Sequence, residues 1–531
     1  MLLVRDTPVV TDMAASDPDG LVEEARRRTW RRRRRRGIAA ALVLGAAALA
    51  YVASSGGGSG TVAATASRPF VDVRAFSHEG ELAFVSRGSL WVLDGAARSL
   101  RRLPGPAGYG PATPEFSSDG RWLAYLATPP NHAGPSELWV ARSDGAGARE
   151  VAGLPISQLV GWSPRADVLA VIALAKSWYV TGAQGQLPVV VDLIEATGTT
   201  SRLLALPTSA ARPSQIEDAV WSPDGGEVAV SIKDAVPTAG TVVRAYPIHG
   251  GPPRTWFSVG PRQSLPGSCG SENGCQEVVA DLAGWWPGWG IGFWVYADGM
   301  SHNNDSTALE LLAAPRATPH VLAQTLSDGV TDAVASGRDG ALALVASSGT
   351  SGRTYTQGKT VETCNSHTRT CTPLPGAAVW SGSGYRSECP SDCGKLGTPP
   401  PGAPGSGESL DPTWSPGGDL LAYVKAPSAL PINLSLSWYG AHELFVWNRE
   451  TNATRKIADV DGVSLPTWSK NGTQLLYVRN DGLWLSPLKG NATEVEYPLF
   501  PPQQWRSVGN DNLSYFGQID WTGQFSWWSP R

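Results

Sequence analysis

Residues 221–230 read WSPDGGEVAV and bring Ser222, Asp224 and Glu227 close together. A hydroxyl beside two carboxylates is raw material for nucleophilic or acid–base chemistry. Two further carboxylate pairs, Asp298/Asp305 and Asp459/Asp461, have the oxygen ligands that Ca²⁺ takes, but each pair alone reads as a solvated turn. Six cysteines fall into three close couples: Cys269 and Cys275, Cys364 and Cys371, Cys389 and Cys393. Local disulfides are the simplest pairing for an even count, although spacing alone does not fix connectivity. The couples lack the Cys-x2-Cys form and the seven histidines are scattered singly, so no zinc or other metal site is expected. No Gly-x-Ser-x-Gly elbow occurs, so no hydrolase triad is expected either. No catalytic set and no cofactor follow from these motifs. The densest aromatic run is Trp285, Trp286 and Trp289, with Trp294 close behind. It either packs between structural elements or forms a ligand platform for a sugar or peptide.

The opening stretch is not unique. FSHEGELAFV starts at Phe76, FSSDGRWLAYL at Phe116, WSPRADVLAVI at Trp162, WSPGGDLLAYV at Trp414 and WSKNGTQLLYV at Trp468. Fainter copies start at Trp285 and Ala335. Such spacing is that of propeller blades with insertions. In the copy at Trp221, Pro223 presets φ for a type I turn, Asp224 suits the turn, and Gly225 tolerates positive φ. The apolar run after each turn suits a strand buried on both faces. A second hairpin follows in several copies, as in SELWVARSDGAGAREV (136–151) and HELFVWNRETNATRKI (442–457). Two hairpins per copy predict a four-stranded antiparallel blade, and Tyr515 to Pro530 reads as a strand that closes the ring. The count is eight blades, or seven if the units at 285 and 335 are not separate.

This pattern resembles the TolB-type, WD-repeat-like β-propeller repeat over roughly residues 70–525. The resemblance is specific for fold and unspecific for activity. It implies an all-β propeller. TolB's separate α/β domain is missing here, so no Tol–Pal role is carried over.

The rest of the chain frames this domain. Residues 1–36 carry ten Arg against six acidic residues, ending in six arginines, and Gly37 to Ala53 has no charge. An apolar run of that length sits at the short end of bilayer-spanning helices, and flanking arginines hold its start in the cytoplasm. The organisation expected is a cytoplasmic tail (1–36), a transmembrane signal anchor (37–53), a flexible linker (54–68) and an extracytoplasmic propeller (69–531). A cleaved signal peptide is the other reading. The remainder after residue 36 has eight more acidic than basic residues, which argues against nucleic acid as partner. The expected function is a monomeric, membrane-anchored binding or scaffold module for a protein, peptide or cell-envelope glycan. The alternative is an exported enzyme acting on a glycan or peptide in the propeller mouth.

Overall fold

The computed structural model describes residues 68–530 apart from 130–134, 152, 154, 179–183, 209–213, 234–239, 260–277, 298–306, 326–332, 348–358, 376–407, 427–441, 480–481, 491, 497–520 and 522. The expected tail, anchor and linker, and the cysteines other than Cys364 and Cys371, lie outside the described residues. Among the described residues no helix is long and apolar enough to cross a membrane.

Eight four-stranded antiparallel blades form a closed ring. The innermost strands of blades 2 to 8 are Gly110–Phe116, Ile156–Trp162, Gln215–Trp221, Val278–Trp286, Ala333–Ala335, Glu408–Trp414 and Val463–Trp468. Blade 1 takes its innermost strand, Phe525–Trp528, from the far end of the chain, where it pairs with Glu81–Ser86. Blades 5 and 6 also touch through a single bridge, Thr325 to Ala346, yet each keeps its own inner strand. The faint copies at 285 and 335 are therefore blades, and the count of eight stands. Buried apolar clusters fill every seam, from Ala83 and Leu123 between blades 1 and 2 to Leu82 and Leu476 between blades 1 and 8.

The repeated turn is architecture. Ser222 Oγ donates to Asp224 Oδ1 at 2.6 Å and accepts the Glu227 N–H at 2.9 Å. The same hydroxyl bridge recurs at Ser117 with Asp119 and Trp122, and at Ser469 with Asn471 and Gln474. A serine committed in both directions is not an available nucleophile. Gly225 has φ +69°, where a side chain would be strained.

The aromatic residue before the turn does more than fill a wedge. Trp162, Trp221 and Trp468 each donate their indole N–H to a carbonyl on the inner strand of the preceding blade: Glu115 O at 3.0 Å, Gly161 O at 2.8 Å and Thr413 O at 2.9 Å. The acceptor always lies one residue before that blade's own aromatic. Phe could not make this bond, although the Trp414 indole nitrogen has no partner among the described residues. Trp221→Phe should cost about 1–3 kcal/mol, since it leaves the Gly161 carbonyl without its partner. Urea unfolding checks this; an unchanged midpoint would remove the indole from the account.

The two ends of the ring differ. Turns joining first to second and third to fourth strands are short, the longest being 313–319. Connections at the other end run to 260–277, 374–407 and 427–442. Long connections on a rigid frame are where binding and catalysis concentrate.

Candidate functional site

The innermost strands begin at the loop-bearing end and finish at the tight turns, so their edges surround the axis of the ring while their side chains alternate toward the two neighbouring blades. Glu115, Glu217, Asp218, Asp281, Glu408 and Asp411 all lie on these eight strands. No Lys, Arg or His does. Asp218 is buried and accepts the Gln158 side-chain amide at 3.0 Å from the neighbouring blade. Asp411 is buried too, and its Oδ2 accepts the Leu465 N–H at 2.9 Å. Glu217 and Asp281 are half-buried.

Kinks set these side chains. Thr113, Asp411 and Leu465 have φ of 47°, 49° and 49°, each just before a proline. All three sit in bulges of inner strands. Left-handed backbone at a non-glycine residue costs on the order of 1–3 kcal/mol and persists only where surroundings hold it. Here they do: Asp411 ties down Leu465, and the Thr113 N–H reaches Gly523 O at 3.0 Å. The kinks thus fall on blades 2, 7 and 8, and blades 2 and 8 flank the closing blade 1.

Glu115 follows the first kink. Its Oε1 accepts the Trp162 N–H at 3.0 Å. Burial pushes its carboxyl up to about 7, and the Trp162 hydrogen bond only partly opposes this. A carboxyl near 7 suits proton transfer at neutral pH.

The tryptophans expected as a ligand platform are placed elsewhere. Trp286, Trp289 and Trp294 are buried in the seam between blades 5 and 6, and Trp289 donates its indole N–H to Gly340 O at 2.5 Å. Trp285 is half-buried on the other face, with its ring edge-on to Trp256. Packing, the first of the two readings, accounts for all four. The blade-turn residues Trp162, Trp221, Pro223, Asp224, Gly225, Trp414 and Trp468 occupy turns and seams, not a site. Cys364 and Cys371 are opposite each other in a hairpin, with sulfurs at bonding distance. Cys269, Cys275, Cys389 and Cys393 lie outside the described residues, as do Asp298 and Asp305. For Asp459 and Asp461 only the strand Ala453–Asp461 is described. Among the described residues no group of three or more His, Cys, Asp or Glu is placed to hold a metal ion.

No family model matches the chain, and no curated protein matches it. Solved structures do. A prolyl endopeptidase shares 13% identity over 79% of this chain and 54% of its own, with TM-score 0.43. A dihydro-heme d1 dehydrogenase shares 13% over 83% and 77%, with TM-score 0.44. A dipeptidyl peptidase 4 from Porphyromonas gingivalis shares 11% over 76% and 54%, with TM-score 0.39. The chain spans about half the length of the peptidases it matches. Two expectations are corrected. The neighbours are propellers of the prolyl endopeptidase and dipeptidyl peptidase kind, not TolB specifically. Those neighbours are mainly peptidases, with a lyase among them, where a pure binding or scaffold module was expected. At these identities the likeness speaks to fold alone.

Proposed function

We propose that the chain is an exported, membrane-anchored enzyme that acts on peptides carrying a free amino group, at the loop-bearing mouth of its channel. One observation carries this reading: six acidic residues and no Lys, Arg or His belong to the eight strands that ring the axis, Glu217 and Asp281 among them half-buried. A wall of one sign concentrates ligands of the opposite sign and repels its own. Amino termini and lysine side chains are the cations a peptide offers. Phosphate chains and uronic acids are disfavoured by the same field. Carboxyl groups also supply the acid and base that bond cleavage needs. The arginines at 31–36 and the charge-free run that follows support anchoring with the propeller outside.

The test uses the full chain in detergent. Synthetic peptides with free amino termini and internal lysine are mixed with acetylated, lysine-free counterparts, and products are read by mass spectrometry. Free-amine peptides should be cut, and acetylated ones roughly tenfold more slowly, a loss of about 1.4 kcal/mol of charge attraction. No cleavage above that of heat-inactivated protein in either set overturns the reading.

A further inference from the structure

We infer that the outer corner of blade 1 at the loop-bearing end, formed by Arg68, Phe70, Arg87 and Arg102, docks on the anionic lipid surface of the membrane that holds this chain's own anchor. The inference rests on the anchored part of the reading above, not on its peptidase part. The described chain starts at this corner. Arg68 stands beside the turn that joins Glu81–Ser86 to Ser89–Asp94, where the Arg87 guanidinium donates to the Arg68 carbonyl at 3.0 Å. From there the chain passes the outermost strand of blade 8, with the Asp72 N–H on Val495 O at 3.2 Å, and reaches the tight-turn end by His78, whose N–H meets Gly95 O at 3.3 Å. Val71 and Val73 pack into the seam with blade 8. Phe70 does not: it is 70% exposed, and among the described residues it is the only large apolar side chain left in the open.

Blade 1 is sorted by charge along its length. Residues 68–103 hold six arginines and four acids. Three of the acids, Glu79, Glu81 and Asp94, belong to the tight-turn end, where Glu81 and Asp94 face each other across the strand pair. The fourth, Asp72, is turned into its own loop and accepts the Arg74 and Ala75 N–H groups at 2.9 and 3.1 Å. Arg68, Arg87 and Arg102 are exposed toward the opposite end. Arg102 closes the outermost strand and pairs with Trp91. Arg87 is held at the tip of a two-residue turn with φ 50° at Arg87 and 70° at Gly88, a compact hairpin that fixes where the tip points. Cations beside an exposed aromatic ring match an anionic lipid–water interface, where arginines meet headgroups and Phe enters the acyl boundary. A soluble phosphate would satisfy the arginines and leave Phe70 in water.

The tether favours the chain's own membrane. Residues 54–67 lie between the charge-free run and Arg68. A Ser/Gly-rich coil of that length spans about 20 Å, so the corner stays near the headgroups at an effective concentration of about millimolar. Weak contacts then suffice, since each arginine near an anionic leaflet favours contact roughly fivefold. Docking there turns the loop-bearing mouth toward the bilayer.

The test places the full chain in nanodiscs of phosphatidylcholine alone or of phosphatidylcholine mixed with phosphatidylglycerol. Arginines are modified with phenylglyoxal and read by mass spectrometry. On anionic discs Arg68, Arg87 and Arg102 should react about fivefold more slowly than on neutral discs, and high salt should erase the difference. Arg98, exposed at the tight-turn end, should react alike on both. Phe70→Ser should weaken the protection with melting unchanged, a shift that charge alone would not give. Equal rates on both discs overturn the docking. Equal protection on both discs and in detergent means that residues 54–67 cover the corner, which also overturns it. Flotation with neutral vesicles tests the anchor separately: a chain that does not float overturns the anchored reading, and this inference with it.

Discussion

Deleting residues 523–531 should leave the chain unable to hold a native ring. The lost strand supplies the innermost position of blade 1, four residues in register with Glu81–Phe84. It also supplies links that no other segment can replace. Gln524 O accepts the Val85 N–H at 2.8 Å, Ser526 Oγ accepts the Phe116 N–H at 3.2 Å, and Trp527 donates its indole N–H to Glu79 O at 2.7 Å. Ser529 Oγ accepts the Lys470 N–H at 2.5 Å, while the Lys470 ammonium sits 4.5 Å above the Trp528 ring and donates to Ser118 O at 3.0 Å. Blades 8, 1 and 2 therefore meet on this strand. Trp528 packs so closely on Gly120 that a methyl group there would overlap its indole. Removing the strand bares the paired edge of Glu81–Ser86 and the apolar seams beside it. The expected loss is on the order of 5 kcal/mol or more, comparable with the whole stability of many domains. Near-ultraviolet circular dichroism should collapse, and a synthetic peptide of residues 521–531 should restore it. Native spectra and wild-type melting without the strand would refute closure by this segment.

Glu310→Met should stabilise the protein above neutral pH and flatten its pH dependence. Glu310 lies in strand Thr307–Leu312, paired with Phe293 and Val321, and is fully buried. Neither carboxyl oxygen has a hydrogen-bond partner among the described residues. Burial raises its carboxyl from 4.5 to about 7. A carboxyl raised on folding makes the folded state bind more protons, so stability is full below about pH 4.5 and is lost as pH climbs toward 7. That rise corresponds to about 3 kcal/mol. Glu81 and Glu115 are pushed up to about 7 as well, also by burial first, and slope the same way. The difference between wild type and Glu310→Met isolates one group. Urea midpoints should nearly coincide at pH 4.5 and diverge in favour of the variant at pH 8. A gap that does not change between those pH values would refute the assignment.

Much of the fold was legible because one physical unit recurs. An aromatic, a tight turn opened by serine and carrying glycine, and a buried apolar strand mean the same thing at Trp221, Trp414 and Trp468, and repetition turned weak local signals into a propeller. Even the closing strand was readable from the aromatic-rich end of the chain. The indole-to-carbonyl ties were not, since sequence shows the donor but not which carbonyl of the previous blade it meets. Blade 6 shows the other limit. Its inner strand is only Ala333–Ala335, and Ala335 stands where other blades have an aromatic, so its sequence was faint.

The channel was harder to see for a related reason. The six acids come from four blades, one or two from each, and share one ring of inner strands only when it closes. Glu115 and Asp411 sit one and three residues before their aromatics, a spacing that looks incidental until the inner strands are placed side by side. The tryptophans at 285–294 were ambiguous in sequence for the opposite reason. Clustering in sequence left both inter-blade packing and a ligand platform open, and the rings of Trp286, Trp289 and Trp294 lie in the seam between blades 5 and 6.

The central claim is that channel charge selects the substrate. Its most direct measurement is the ratio of kcat/KM for a lysine-bearing peptide with a free amino terminus to that for its acetylated, lysine-free counterpart, in the wild type and in Glu217→Gln/Asp281→Asn. These two half-buried carboxylates lie on adjacent inner strands, and neutralising them removes charge at nearly constant shape. The ratio should be roughly 10 in the wild type and fall toward 1 in the variant, with added salt acting in the same direction. A ratio near 1 in the wild type, or one that the double variant leaves unchanged, would contradict the account.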